Sequence, residues 1–155
     1  MARSSTGVAT DTPTLGIRLA GGIYALNRFL MTLQNKRVPV TGITMDGDSE
    51  GSRITLRLGC PEETARRYTA LLSSLEDVDE VWPAEESMEV ALLKPAAEGW
   101  RKSAERARIG FHEDGGTVVA SGAPEKMEAW LDSLGEEETD IMRLGPMARP
   151  GNGGD

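Results

Sequence analysis

Residues 25–58 read ALNRFLMTLQNKRVPVTGITMDGDSEGSRITLRL, and this stretch decides the fold. Its first part carries apolar side chains at steps of three, four and three residues, which is the period of one face of an α-helix. That stripe consists of Ile23, Leu26, Leu30 and Leu33. In residues 52–58 every second side chain is apolar, which is typical of a β-strand. Residues 38–45 are a second strand candidate, and residues 46–51 between the two strands favour a turn.

The flanking segments extend this core in both directions. Residues 14–19 alternate like a strand, residues 61–75 carry a helical stripe that begins with proline, and residues 78–83 form a last short strand. The predicted order is therefore β-α-β-β-α-β, the split βαβ or ferredoxin-like pattern. A second copy follows from Met88, about 73 residues after Leu15, with helices predicted over 96–108 and 124–134 and a last strand over 141–144.

The sequence thus predicts an α+β protein made of two tandem ferredoxin-like (βαββαβ) domains. The first domain is predicted to span residues 13–84 and the second residues 85–146. Residues 1–12 are small and polar and are expected to form a flexible lead, and residues 147–155 a flexible tail.

Composition excludes several classes of partner. Seventeen basic and 25 acidic residues give a net charge of -8, which repels a phosphate backbone and argues against nucleic acid. The N-terminus lacks the apolar core of a signal peptide, and no run approaches the roughly 20 apolar residues that span a bilayer. The single cysteine, Cys60, cannot form an internal disulfide, so we expect a cytoplasmic protein with no membrane partner.

Residues that could carry catalysis or bind a metal are scarce. His112 is the only histidine and has no neighbouring base or nucleophile in the sequence, so a hairpin role is favoured over a catalytic one. Histidine and cysteine do not recur at metal-ligand spacing. Asp46 and Asp48 resemble the start of a calcium loop but lack its closing acidic residue, which favours a turn. No catalytic residue, metal site or cofactor is predicted.

Two further features have both a functional and a structural interpretation. Gly21 and Gly22 precede a helix N-terminus, where free N–H groups suit an anion such as the carboxylate of an amino acid. The same pair could simply make a tight strand-to-helix turn, and this interpretation is favoured slightly. The acidic run 136–140 is interpreted as a solvated loop rather than as a docking site.

Several segments resemble the acetolactate synthase (acetohydroxyacid synthase) small regulatory subunit, which has an ACT domain followed by a C-terminal domain. Ser52-Arg53-Ile54-Thr55 is the most specific match. The other matching segments in the first half are 25–29, 35–43 and 75–81, and those in the second half are 88–94, 122–129 and 142–145. The resemblance implies that the first domain is an ACT domain.

The resemblance also implies a function. Such subunits are not catalytic: they dimerise through the ACT sheet, bind the acetolactate synthase large subunit in branched-chain amino-acid biosynthesis, and raise its activity. Thiamine diphosphate, FAD and magnesium would belong to that partner. A small amino acid, usually valine, is the ligand that the resemblance implies. The alternative is a free-standing ACT-type amino-acid sensor that acts on another protein.

The resemblance places the ligand site at the first turn and at the start of the second strand. The corresponding residues are Gly21, Gly22, Ile23, Tyr24, Ala25, Pro39 and Val40. The family keeps asparagines in these two segments, and here Gly21 and Pro39 supply no side-chain amide while Tyr24 adds bulk. We therefore predict a weak or absent response to valine. Arg53 and Arg57 are expected to be exposed on the third strand. They are candidates for partner binding, or alternatively belong to a solvated sheet face.

Overall fold

The computed structural model describes residues 12–47, 50–95, 98–135 and 140–148. The predicted lead, apart from Thr12, lies outside these ranges. Asp48 of the predicted turn, the start of the helix predicted from residue 96, most of the acidic run and residues 149–155 of the predicted tail lie outside them as well.

The first half of the chain folds as the sequence predicts. Its elements are β1 (Thr14–Ala20), α1 (Ile23–Asn35), β2 (Val40–Gly47), β3 (Gly51–Leu58), α2 (Glu62–Ser73) and β4 (Val78–Pro83). The strands form one antiparallel sheet in the order β2-β3-β1-β4, with Ile17 opposite Ile54 on β3 and Val81 on β4. The alternating apolar residues of β1 and β3 face the two helices and make the first core.

The second half repeats this arrangement. Its elements are β5 (Ser87–Lys94), α3 (Trp100–Ala107), β6 (Gly110–Asp114), β7 (Thr117–Gly122), α4 (Pro124–Ser133) and β8 (Asp140–Ala148). The strand order β6-β7-β5-β8 is that of the first sheet, element for element. Trp100 and Trp130 fill a separate second core, so the chain is two tandem ferredoxin-like units, as predicted.

The buried face of α1 differs from the stripe identified in the sequence. Ala25, Phe29 and Leu33 are buried, whereas Ile23 and Leu30 are 69% and 42% exposed. The buried residues recur at steps of four and place the large phenyl ring against the sheet. The predicted stripe is therefore right at Leu33 and at Leu26, which packs against the core, and wrong at Ile23 and Leu30. Since α1 carries apolar residues over much of its circumference, periodicity alone did not single out the face that includes Phe29.

The second half also differs from the prediction at two boundaries. The helix predicted from residue 96 begins at Trp100, after Gly99 as its N-cap. The last strand was predicted to end at residue 144 and the tail to begin at 147, but β8 continues through Met147 and Ala148 because they pair with Met88 and Ser87. The change of sheet falls between Pro83 and Ser87, and the predicted boundary at residues 84 and 85 lies within this link.

Candidate functional site

The turn between β1 and α1 holds the first group of predicted ligand residues. Gly21 has φ +85°, a conformation that side chains rarely adopt, and its N–H donates to the carbonyl of Glu50 at 3.1 Å. Gly22 is the N-cap, and its carbonyl accepts the first helical hydrogen bond, from the Leu26 N–H at 3.1 Å. No side chain caps this helix end. The positive φ of Gly21 explains the glycine there, because the tight turn from strand to helix requires this conformation.

The next three residues point in different directions. Ile23 and Tyr24 are 69% and 80% exposed, whereas Ala25 is buried in the first core. Ala25 is therefore a packing residue. Tyr24 is the predicted ligand residue with the largest exposed side chain, and it projects into solvent beside the helix start.

Pro39 and Val40 lie at the opposite end of the first sheet. Val40 pairs with Leu58 at one end of β3, whereas the Gly21 turn follows Ala20, which pairs with Gly51 at the other end. The thirteen residues of α1 separate the two groups by about 20 Å. One chain therefore does not bring the two predicted halves of the ligand site together.

A group of exposed apolar side chains follows α1 and the edge strand β2, and we call it the α1–β2 patch. Its members are Ile23, Tyr24, Leu30, Met31, Ile43 and Met45, each 42% to 80% exposed. Ile43 and Met45 pair with the core residues Leu56 and Ile54 and so face the helix side of the sheet. The patch is therefore an apolar margin along one edge of the first unit.

The two arginines proposed for partner binding have different surroundings. Arg53 is exposed, and its guanidinium lies 3.0 Å from the Asp46 carboxylate. The Arg57 side chain is only 21% exposed and lies 3.4 Å from a carboxylate oxygen of Glu89 in the second unit. The expectation that Arg57 is exposed is wrong, because Glu89 covers it from the neighbouring unit.

Glu89 lies at the centre of the contact between the two units. Its side chain is 2% exposed and also accepts hydrogen bonds from Nε and Nη2 of Arg143, the latter at 3.0 Å. This hydrogen bond raises the pKa of Arg143 and keeps its positive charge. Sequence analysis missed Glu89, although it precedes Ala91 and Leu93 as a charged member of an otherwise apolar alternation.

The end of β8 lies across the face of the first sheet that points away from its helices. The Ala148 N–H donates to the hydroxyl of Thr55, which is 7% exposed, at 3.0 Å, and the Thr44 hydroxyl donates to the Pro146 carbonyl. A Cβ atom at Gly42 would lie 3.1 Å from Cδ of Pro146, so the packing there is close. The two units are thus joined by hydrogen bonds, an ion cluster and tight contact.

The only histidine and the only cysteine of the chain lie in the described ranges, in different units. His112 is exposed on the β6 edge strand, and burial raises the pKa of the Cys60 thiol, which makes it less reactive. Within the described ranges, no group of three metal-ligating side chains is close enough to hold an ion. None of the helices in that part of the chain has both the length and the apolar content needed to cross a bilayer.

Comparison with known proteins supports the fold. No family model matches the sequence, and no curated protein matches it either. The crystal structure of the acetolactate synthase small subunit from Thermotoga maritima matches with a TM-score of 0.69 and 16% sequence identity, over 87% of this chain and 94% of that one. The regulatory subunit of aspartate kinase from Thermus thermophilus matches with a TM-score of 0.46 and 14% identity, over 83% of this chain and 95% of that one, which is too distant to support an argument.

The match to the Thermotoga maritima structure shows that this chain shares its tandem ferredoxin-like fold. Both units are included, since the match covers most of this chain. At 16% identity the likeness concerns the fold alone.

Proposed function

We propose that this chain is a non-catalytic regulatory subunit that binds and activates the large subunit of a thiamine-diphosphate-dependent acetolactate synthase. One observation carries the proposal: both units match, over nearly the full length of both chains, a protein described as an acetolactate synthase small subunit. The sequence resemblance points the same way. Thiamine diphosphate, FAD and magnesium are then cofactors of the catalytic partner, and the pathway is branched-chain amino-acid biosynthesis.

The proposal includes a homodimer formed along the edge of the first sheet. β2 is an edge strand, and the α1–β2 patch adds exposed apolar area on its helix side. The opposite face of β2 is covered by β8 around Gly42 and Thr44. Edge-to-edge pairing of two β2 strands therefore fits the open surface better than face-to-face stacking of two sheets.

Such pairing also bears on the separated ligand residues. If two β2 strands pair antiparallel about a two-fold axis, the Val40 end of one strand lies beside the Gly47 end of the other. The Gly47 end of β2 is also the end of the sheet where the Gly21 turn lies, because Gly47 pairs with Ser52 and Ala20 pairs with Gly51. An amino-acid site would then combine the first turn of one protomer with Pro39 and Val40 of the second.

This composite site is poorly equipped to hold an amino acid. The α1 N-terminus offers N–H groups to a carboxylate, but Gly21 and Pro39 bring no side-chain oxygen for the ammonium group. Tyr24 adds an exposed ring beside the turn. We therefore propose activation of the catalytic subunit with little or no inhibition by valine.

The decisive experiment is acetolactate formation by the purified large subunit, alone and with this protein, across a valine titration. A rise in rate that valine does not reverse supports both parts of the proposal. A rise that valine abolishes keeps the regulatory function and contradicts the assignment of a degenerate ligand site.

The same assay also separates the proposal from its rival. No rise in rate, together with no complex on size exclusion, contradicts the regulatory-subunit proposal. That result favours a free-standing amino-acid sensor.

A further inference from the structure

A groove runs along the junction of the two units, away from the α1–β2 patch. It has a volume of about 770 Å³ and is lined by the start of β1, one face of α2, the link between β4 and β5, and the first turn of α4. The first unit and the link supply most of the walls, and the second unit adds Ser87 and Glu125, so the complete groove is formed at the junction of the two units.

The lining of the groove has an apolar part, which we call its floor. It consists of Pro13, Leu15, Ala65, Ala70 and Pro83, and uncharged polar side chains such as Thr69 and Ser87 lie among them. Covering such a surface with an apolar side chain is favourable, because it removes apolar area from water. The floor alone does not determine the occupant.

The charges around the floor restrict the choice. Glu62, Glu85 and Glu125 line the groove, and the one cationic side chain there, Arg66, lies 3.6 Å from Glu62. Within the described part of the chain, neither Glu85 nor Glu125 takes part in an ion pair. The groove therefore has an excess of negative charge, which repels the carboxylate of an amino acid and attracts a cationic group.

We propose that this junction groove docks a polypeptide segment of a partner protein that presents an apolar side chain next to a lysine or arginine. The apolar group covers the floor, and the cation is placed near Glu85 and Glu125, neither of which has an ion-pair partner within the described residues. That the segment belongs to the catalytic subunit rests on the proposed function. Since both units contribute to the groove, binding of the partner segment would depend on how the two units are packed against each other.

The first test uses a defined probe that does not depend on the catalytic subunit. A fluorescein-labelled peptide of alternating leucine and lysine residues is titrated with the full chain, and fluorescence anisotropy is measured at low and high salt. The variant Glu85→Lys/Glu125→Lys is expected to weaken binding about tenfold and to flatten the salt dependence.

The control must change the same total charge outside the groove. Glu63→Lys/Glu105→Lys does this, since both glutamates are exposed and neither lines the groove. Glu63 lies in the first turn of α2, and Glu125 lies in the first turn of α4. Both double variants therefore place one lysine at a helix N-terminus, where a cation lowers stability, so this effect is the same in the variant and its control. Control binding should stay within about twofold of wild type, because Glu105 lies on α3 and the side chain of Glu63, although next to Glu62 in the sequence, does not line the groove.

A second variant tests the apolar floor without changing charge. Ala70→Trp places a large ring in the groove from an exposed position on α2, with Ala129→Trp, exposed on α4, as its control. Ala70→Trp should lower peptide affinity while both variants keep the unfolding midpoint of the wild type. Absence of peptide binding to the wild type, or equal binding by Glu85→Lys/Glu125→Lys and its control, would overturn the groove assignment.

The same four variants are then titrated against the large subunit. Weaker complex formation by the two groove variants alone supports docking of that subunit in the groove. Equal complex formation by all variants overturns the groove as its docking site and leaves the proposed function intact. If the wild type binds the peptide but not the large subunit, the proposed function fails while the groove chemistry stands.

Discussion

The Arg57 guanidinium of the first unit lies 3.4 Å from the Glu89 carboxylate of the second, and Glu89 is 2% exposed. Arg143 holds the same carboxylate from β8, so one buried acid joins three strands of two sheets. Within the described residues, no buried side-chain nitrogen or oxygen lacks a hydrogen-bond partner. Every buried polar atom of the cluster thus has a hydrogen-bond partner. Removing the Glu89 carboxylate would leave two arginines without their acid, which destabilises the fold.

Glu89→Ala should destabilise the protein by about 3 kcal/mol, since it removes a fully buried acid and leaves two partly exposed cations side by side without it. Arg57→Met should cost less, about 1 kcal/mol, because Arg143 still neutralises Glu89. Urea unfolding monitored by circular dichroism measures both. Equal stability of Glu89→Ala and of the exposed control Glu63→Ala would contradict the role given to the cluster.

Phe29→Ala and Leu30→Ala test which face of α1 is buried. Phe29 is 2% exposed, so its truncation should cost about 3 to 5 kcal/mol through lost burial and a cavity. Leu30 is 42% exposed, and its truncation should cost about 0.5 kcal/mol. Thermal or urea unfolding measures the loss of stability of each variant. A larger loss for Leu30→Ala than for Phe29→Ala would support the stripe identified in the sequence as the buried face.

The order of elements was predictable because apolar and other side chains alternate strictly along β1 and β3, and because glycine or proline residues mark the ends of several elements. Gly135, which follows the helix predicted over 124–134, has φ +79°, the left-handed conformation in which glycine commonly ends a helix. The buried face of α1 was predictable only in part, at Leu26 and Leu33, since apolar residues cover much of the circumference of that helix. Contacts such as that of Glu89 with Arg57 depend on how two units pack, which period and composition do not encode.

The candidate ligand site shows a similar limit. Sequence likeness grouped Gly21 with Pro39, but the fold places them at opposite ends of the first sheet. A site shared between protomers cannot be read from the order of residues in one chain. The groove was missed for a related reason, because its walls come from four separate segments of small and acidic residues.

Gly16 on β1 has a packing role that can be tested directly. A Cβ atom there would overlap the indole ring of Trp82, the residue opposite it on β4. Gly16→Ala should therefore cost about 1 to 3 kcal/mol through displacement of the ring. In a Trp82→Leu background the cost should fall, which a double-mutant cycle by urea unfolding measures. Additive effects of the two substitutions would contradict this contact.

Arg28 and Asp77 give the fold a component that depends on pH. Nε and Nη2 of Arg28 donate to the Asp77 carboxylate at 2.8 and 3.0 Å, and this hydrogen bonding lowers the pKa of Asp77 below its usual value. A lowered folded-state pKa stabilises the fold above the unfolded-state value of about 3.9, and the gain is lost as the pH falls through the folded-state value.

At neutral pH the wild type should unfold at a higher urea concentration than Arg28→Gln. This difference between the two urea midpoints should shrink below about pH 4. The exposed Arg67→Gln serves as the control, because no ion pair involves Arg67 within the described residues. A difference that stays constant down to acid pH would show that Arg28 acts through packing rather than through Asp77.

The edge of β2 carries the proposed dimer, and a single charge should disrupt it. Ile43 is 44% exposed on this strand, so Ile43→Lys adds a cation to the edge without emptying the core. Met142→Lys on β8 is the control, since Met142 is 59% exposed on the second sheet and lies outside the α1–β2 patch. Sedimentation velocity should show a dimer for wild type and for Met142→Lys, and a monomer for Ile43→Lys. A dimer that survives Ile43→Lys but not Met142→Lys would move the interface to the second sheet and leave the Gly21 turn without Pro39 and Val40 of a partner.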